Sequence, residues 1–199
     1  MNGTAAARTF VRLQEAQDSI HDADLLLFRR RGLIAMAGRG EHSHAAKAAW
    51  WDVDLFCLEV REFFGGRAVT LSSQVQQYSG RIDVYEANPD DRWPEYDRLG
   101  ATRQMRRLCG CRYGWQHLLL AALLHLPVWR WLTARRASID AETDDAAMDR
   151  RPPFCSDACS MADRLGGKVD PVVHLADRFT EPSDLARSPF YRYRFTLLP

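Results

Sequence analysis

Between Leu25 and Tyr85 the chain offers five short apolar runs, each set off by residues that turn the backbone. Runs of this length with such punctuation predict strands. Two acids, Asp22 and Asp24, precede the compact run Leu25 to Phe28, which predicts a buried strand. Ala45 to Trp51 predicts a strand of small residues, and Asp52-Val-Asp54 a turn. Leu55 to Val60 predicts the next strand, Gly65-Gly66 a hairpin turn, and Ala68 to Leu71 the returning strand. Gln74 to Tyr78 reads as a short loop before a last strand, Arg81 to Tyr85. The region reads as a mostly antiparallel sheet.

The flanks read differently. Phe10, Leu13, Ala16 and Ile20 share a helical face, predicting a helix over Ala5 to Ile20. Trp93 to Leu108 also has helical spacing. Tyr113 to Leu132 is the most apolar stretch and is about as long as a membrane span. Gln116, His117, His125 and Arg130 interrupt it, and Pro127 ends it, so it reads as a buried helix. Trp129 and Trp131, with Trp115, suit a membrane-surface or protein contact. Ala137 to Arg150 is acidic and poor in large apolar residues, as a linker is. Val169 to His174 predicts a strand, Leu175 to Phe190 a loop with a short helix, and Tyr191 to Leu197 a closing strand. The whole is an α+β domain over 1–199, with a helical insert at about 90–150.

A second constraint lies at Arg151 to Gly167. Pro152 and Pro153 hold the entry extended. Ser156 and Asp157 suit a first turn, while Ala158, Met161, Ala162 and Leu165 recur on one helical face. Gly166-Gly167 ends the helix. Cys155 therefore stands at a helix head, where unpaired N–H groups and the dipole favour a thiolate or hold an oxyanion. Standing against that reading is a buried, inert cysteine, the usual state of a free thiol.

A cysteine nucleophile needs a base and a group that orients the base. His44 is the candidate base, between a glycine-rich loop and a strand. Glu59 is the candidate orienter, a lone acid in the apolar run Leu55 to Val60. Adjacent strands place two such residues side by side. A hydrogen-bonded strand histidine and a solvent-facing glutamate are the plain alternatives.

The order His, acid, Cys resembles the circularly permuted papain-like hydrolases related to NlpC/P60 peptidases, the YiiX/YebB-type group. The matching pieces are Asp24-Leu-Leu-Leu-Phe-Arg29, Arg31-Gly-Leu-Ile34 and Ser43-His44, followed by Leu58-Glu59-Val60 and Arg67-Ala-Val-Thr-Leu71. Phe154-Cys155-Ser156 and the tail Asp184-Leu-Ala-Arg-Ser-Pro189 complete them. The resemblance covers most of the chain outside about 90–150. It implies a permuted papain-like sheet packed on the cysteine helix. It also implies an amidase or endopeptidase acting on peptidoglycan peptides through Cys155, His44 and Glu59, with acyl or lipid amides as a second substrate class and no cofactor. Ala45-Ala-Lys47, where the family has a bulkier aliphatic strand, departs from the pattern. A binding or structural module on the same fold, from a phage or a cell envelope, is the rival from another class.

Other signals bound these readings. A net charge of +1, from 27 basic and 26 acidic residues, gives no bulk case for nucleic acid. Five irregularly placed cysteines read as a reduced set. The N-terminus has no apolar run of the secretory kind, so a wall-active protein would travel by lysis or with a virion. Cys109-Gly-Cys111 with His117 has one-residue spacing and no evident fourth zinc ligand. His42 and His44 offer a ligand pair only if Cys155 is not a nucleophile. Cys57 and Cys159 read as core. Arg29 to Arg31 reads as a solvated turn or an anion site.

Overall fold

The computed structural model describes residues 8–29, 41–114 and 151–199. Their centre is a seven-stranded sheet in the order β1-β7-β6-β2-β3-β4-β5. Its strands are β1 (Phe10–Arg12), β2 (Leu25–Phe28), β3 (His44–Trp51), β4 (Asp54–Arg61), β5 (Gly65–Thr70), β6 (Ile82–Ala87) and β7 (Tyr191–Leu198). Every pairing is antiparallel except β1 with β7. Helices α1 (Leu13–Ala16), α2 (Leu71–Gln77), α3 (Arg98–Arg107), α4 (Cys155–Met161) and α5 (Pro182–Arg187) accompany it. The architecture is α+β.

Alternation along the strands divides the interior into two cores. On one face Leu25, Leu27, Leu58 and Val60 meet Ala158, Cys159 and Ala162 of the cysteine helix. On the other, Leu26, Phe28 and Cys57 meet Leu71, Val75 and Tyr78. Leu25, Leu26 and Leu27 are fully buried, each contributing about 1.5–3 kcal/mol by removal from water. Strand β2 is apolar throughout because both of its faces are covered.

Five expectations need correction. The helix over Ala5 to Ile20 is instead β1, the single-turn α1 and a 3-10 turn, Gln17–Ser19. Strand β7 has an edge to fill, and Phe10 to Arg12 pairs with it, a tertiary demand that overrides local propensity. The β4–β5 turn lies over Glu62 to Phe64, with Phe63 at φ +67°. Gly65 and Gly66 already belong to β5, where a Cβ would land on the carbonyl oxygens of Cys111 and Leu108. Gln74 to Tyr78 is not a loop: α2 runs from Leu71, with Leu71, Gln74 and Val75 buried at helical spacing. Helix α3 begins only at Arg98, capped by Asp97 accepting from the Gly100 N–H at 2.7 Å. Val169 to His174 forms turns, because Pro171 has no N–H for a ladder.

The chain leaves the described part at Gly114 and re-enters just before Pro152. There the Gly114 N–H donates to the Pro153 carbonyl at 3.1 Å. Trp115, Trp129 and Trp131, the predicted Tyr113 to Leu132 helix beyond Gly114, the linker, His117 and the run from Arg30 to Gly40 lie outside the described residues.

Candidate active site

His44 is the first residue of β3, and Ala46, two residues on, pairs with Glu59 of β4. A step of two keeps side chains on one side of a sheet, so His44 and Glu59 share a side. The His44 Nε2 meets Glu59 Oε2 at 2.5 Å. Edge-on packing of Phe28, with ring centroids 5.1 Å apart, holds the imidazole from another direction. Cys155 is the first residue of α4, which continues as a π-helical turn, Ala162–Gly166. Phe154 before it is extended, with ψ −174°. The head of the helix meets the head of the strand, and the His44 ring hydrogen-bonds Cys155 as well as Glu59.

The electrostatics follow from these contacts. Burial works to lower the His44 pKa, but hydrogen bonds to Cys155 and Glu59 and their negative charges outweigh it. The imidazole is raised from 6.5 to about 9 and is cationic at neutral pH. Burial works to raise Glu59, but His44 and Arg67 outweigh it, and the carboxyl is lowered from 4.5 to about 2. Both Glu59 oxygens are engaged: Oε2 by His44, and Oε1 by Arg67 Nε at 2.8 Å and Nη2 at 2.5 Å. Arg61 stands further off, 3.6 Å from Oε1. A carboxylate held at both ends cannot rotate away, so it fixes the ring that it contacts.

The structure thus brings together His44, Glu59 and Cys155. Sequence reasoning missed two neighbours. Arg67 gave no signal beyond its place in a returning strand. Tyr113 was absorbed into an apolar stretch. Its phenol is buried, and burial first, then the charge of Cys155, push its pKa well up, so it stays protonated. Cys159, one turn after Cys155, is buried among apolar side chains, and burial pushes its thiol up. Cys57 is buried likewise, while Cys109 is exposed.

A second histidine–carboxylate pair lies two residues upstream. His42 Nε2 meets Asp83 Oδ2 at 2.8 Å, and both side chains are buried. Asp83 also accepts from Arg29 Nε at 3.1 Å, Arg29 Nη2 at 3.2 Å and Thr196 Oγ1 at 2.6 Å. Arg8 Nε stands 3.7 Å away, and Arg8 also pairs with Glu41. Burial works to raise Asp83, but His42, Thr196 and Arg29 hold it below its usual value. Arg29, read from the sequence as part of a solvated turn or an anion site, is committed to Asp83 and to the Gly80 carbonyl.

No known family's sequence profile matches the chain, and no curated protein matches it. Among solved structures, the crystal structure of the metalloprotein yiiX from Escherichia coli O157:H7 superposes with a TM-score of 0.59. The match covers 90% of this chain and 99% of that one, at 11% sequence identity. Identity that low speaks for shared architecture alone. The chain has a YiiX/YebB-type α+β fold.

Proposed function

We propose that the chain is a cysteine hydrolase of amide bonds on a permuted papain-like, NlpC/P60-like arrangement. Cys155 is the nucleophile, His44 the base and Glu59 the group that orients the base. The observation that carries this reading is one imidazole hydrogen-bonded both to a cysteine at a helix head and to a buried carboxylate. Cys155 sulfur adds to the amide carbonyl carbon, and its proton resides on His44. The oxyanion meets the Cys155 N–H at the helix head, with the Tyr113 hydroxyl as second donor. His44 then protonates the departing amine, leaving a thioester. Water, deprotonated by His44, adds to the thioester and releases the acid and the thiol. Glu59 stabilises the imidazolium throughout.

Peptide bonds of peptidoglycan are the substrate that the family resemblance favours. Wall fragments incubated with the full chain and with Cys155→Ala test the reading. Cleavage by the first and none by the second is expected; equal cleavage by both overturns it. A thiol probe separates the hydrolase from a binding module on the same fold. Rapid, pH-dependent labelling of Cys155 alone fits the hydrolase, and equal labelling of several cysteines fits the module.

The yiiX protein is described as a metalloprotein, which raises a metal reading for this chain. Among the described residues, Glu41, His42 and Asp83 have ligand atoms within 4.8 Å of one another. Arg29 and Thr196 already fill the Asp83 oxygens, and Arg8 bridges Glu41 and Asp83. A divalent cation there would sit against two guanidinium groups. These residues do not fit a resident metal, and no step of the hydrolysis runs through one.

A further inference from the structure

Strand β3 has an odd composition for a buried strand. Four of its first six residues are alanine, and Lys47 stands among them. Ala45 and Ala49 lie in the same core cluster as Ala158 and Ala162 of the cysteine helix. Small side chains on both elements let helix and strand approach closely. They also leave few knobs to interdigitate, so apolar packing alone sets the helix position along the strand only weakly.

Lys47 supplies what the alanines do not. Its side chain is fully buried, and Nζ donates to Asp163 Oδ2 at 2.6 Å, the Tyr191 hydroxyl at 3.0 Å and the Ala23 carbonyl at 3.0 Å. An ammonium has three N–H donors, and these three contacts match them. Asp163 sits in the π-helical turn that extends α4. It accepts from Tyr96 at 2.7 Å through Oδ1, and from Tyr191 as well as Lys47 through Oδ2. Lys47 lies three residues from His44 on one element, and Asp163 eight residues from Cys155 on the other. A buried ion pair is weak support for stability, because a packed apolar pair often does as well or better. Its directional bonds do set register.

We propose that Lys47 and Asp163 are positioning residues, a buried pin that sets where the cysteine helix lies along β3 so that the Cys155 sulfur meets the His44 ring. The pin rests on the reading of Cys155 and His44 as the reacting pair. A misplacement of about 1 Å is enough to cost roughly a hundredfold in rate.

The test uses the full chain and the variants Asp163→Asn and Lys47→Met/Asp163→Leu. Two readouts are followed: iodoacetamide labelling of Cys155 against pH, with exposed Cys109 as the reference thiol in the same molecule, and amide exchange across α4, β2 and β6. In the wild type, Cys155 is expected to outpace Cys109 at pH 6. In both variants that advantage falls about tenfold or more. Exchange in α4 rises about tenfold, while β2 and β6 keep their protection. The double variant still melts in one cooperative transition, lowered by the Tyr96, Tyr191 and Ala23 groups that it leaves unpaired, which separates lost register from lost fold. A folded double variant with wild-type labelling and exchange overturns the pin. So does a double variant that fails to fold, since the pair would then be holding the fold itself. If wild-type Cys155 labels no faster than Cys109, the hydrolase reading fails, and exchange in α4 still decides the pin.

Discussion

Two histidine–carboxylate pairs lie two residues apart in the chain, and their surroundings differ. His44 and Glu59 share a hydrogen bond of 2.5 Å, and the ring also meets Cys155 at a helix head. His42 and Asp83 share one of 2.8 Å, but Arg29 and Thr196 close the carboxylate, and among the described residues no cysteine contacts it. Both pairs are shielded from water, and both carboxyl groups are held below their usual pKa. The comparison teaches that a buried histidine–acid pair is a structural commonplace. On the proposed reading the third partner decides whether its proton has work: a thiol makes the first pair a base, and guanidinium groups make the second a brace.

The largest effect expected is on the first pair. His44→Ala lowers hydrolysis by roughly a thousandfold to ten-thousandfold, as loss of a triad base does. His42→Ala is expected to leave the rate within about tenfold when measured well below its melting temperature. Steady-state rates of both variants on wall fragments check this, and equal losses would break the distinction. Next, Asp83→Ala leaves the buried His42 and the partly buried Arg29 without their carboxylate and costs about 3–5 kcal/mol in urea unfolding. Arg67→Ala acts less strongly. It removes a partly exposed guanidinium from one oxygen of the buried Glu59, so turnover falls about tenfold or less while binding of substrate holds. Kinetics in which KM rises and kcat stays would place Arg67 at the substrate instead.

The smallest effect is in pH dependence. The His44 pKa is raised on folding, so its contribution to stability is full below about pH 6.5 and is lost as pH rises through about 9. The Glu59 pKa is lowered, so its contribution is present above about pH 4.5 and is lost as pH falls through about 2. Melting temperatures of the wild type and His44→Gln between pH 6 and 10 check the first statement. The variant should lose the alkaline slope that His44 supplies.

Much of this was legible in the residues themselves. Leu25 to Phe28 could only be a covered strand. A lone glutamate in Leu55 to Val60, a histidine at a strand head and a cysteine after two prolines each stood out against their neighbours. What escaped notice depends on distant partners. Phe10 to Arg12 becomes a strand because Thr196 to Leu198 lies beside it. Asp83 sat unremarked in an alternating run, since the arginine and threonine that occupy it come from Arg29 and Thr196. Lys47 was noticed only as a departure from an aliphatic strand, and its partner Asp163 is 116 residues away. Gly65-Gly66 reads as a turn because glycine marks both sharp turns and close backbone contact, and here Leu108 and Cys111 supply the contact.

The hydrogen bond between Gly114 and Pro153 has one more consequence. It ties the segment that carries Tyr113 to the segment that carries Cys155. A shift of the cysteine helix therefore pulls on a strap fastened at its own entry, and the buried Tyr113 phenol is drawn along with the helix.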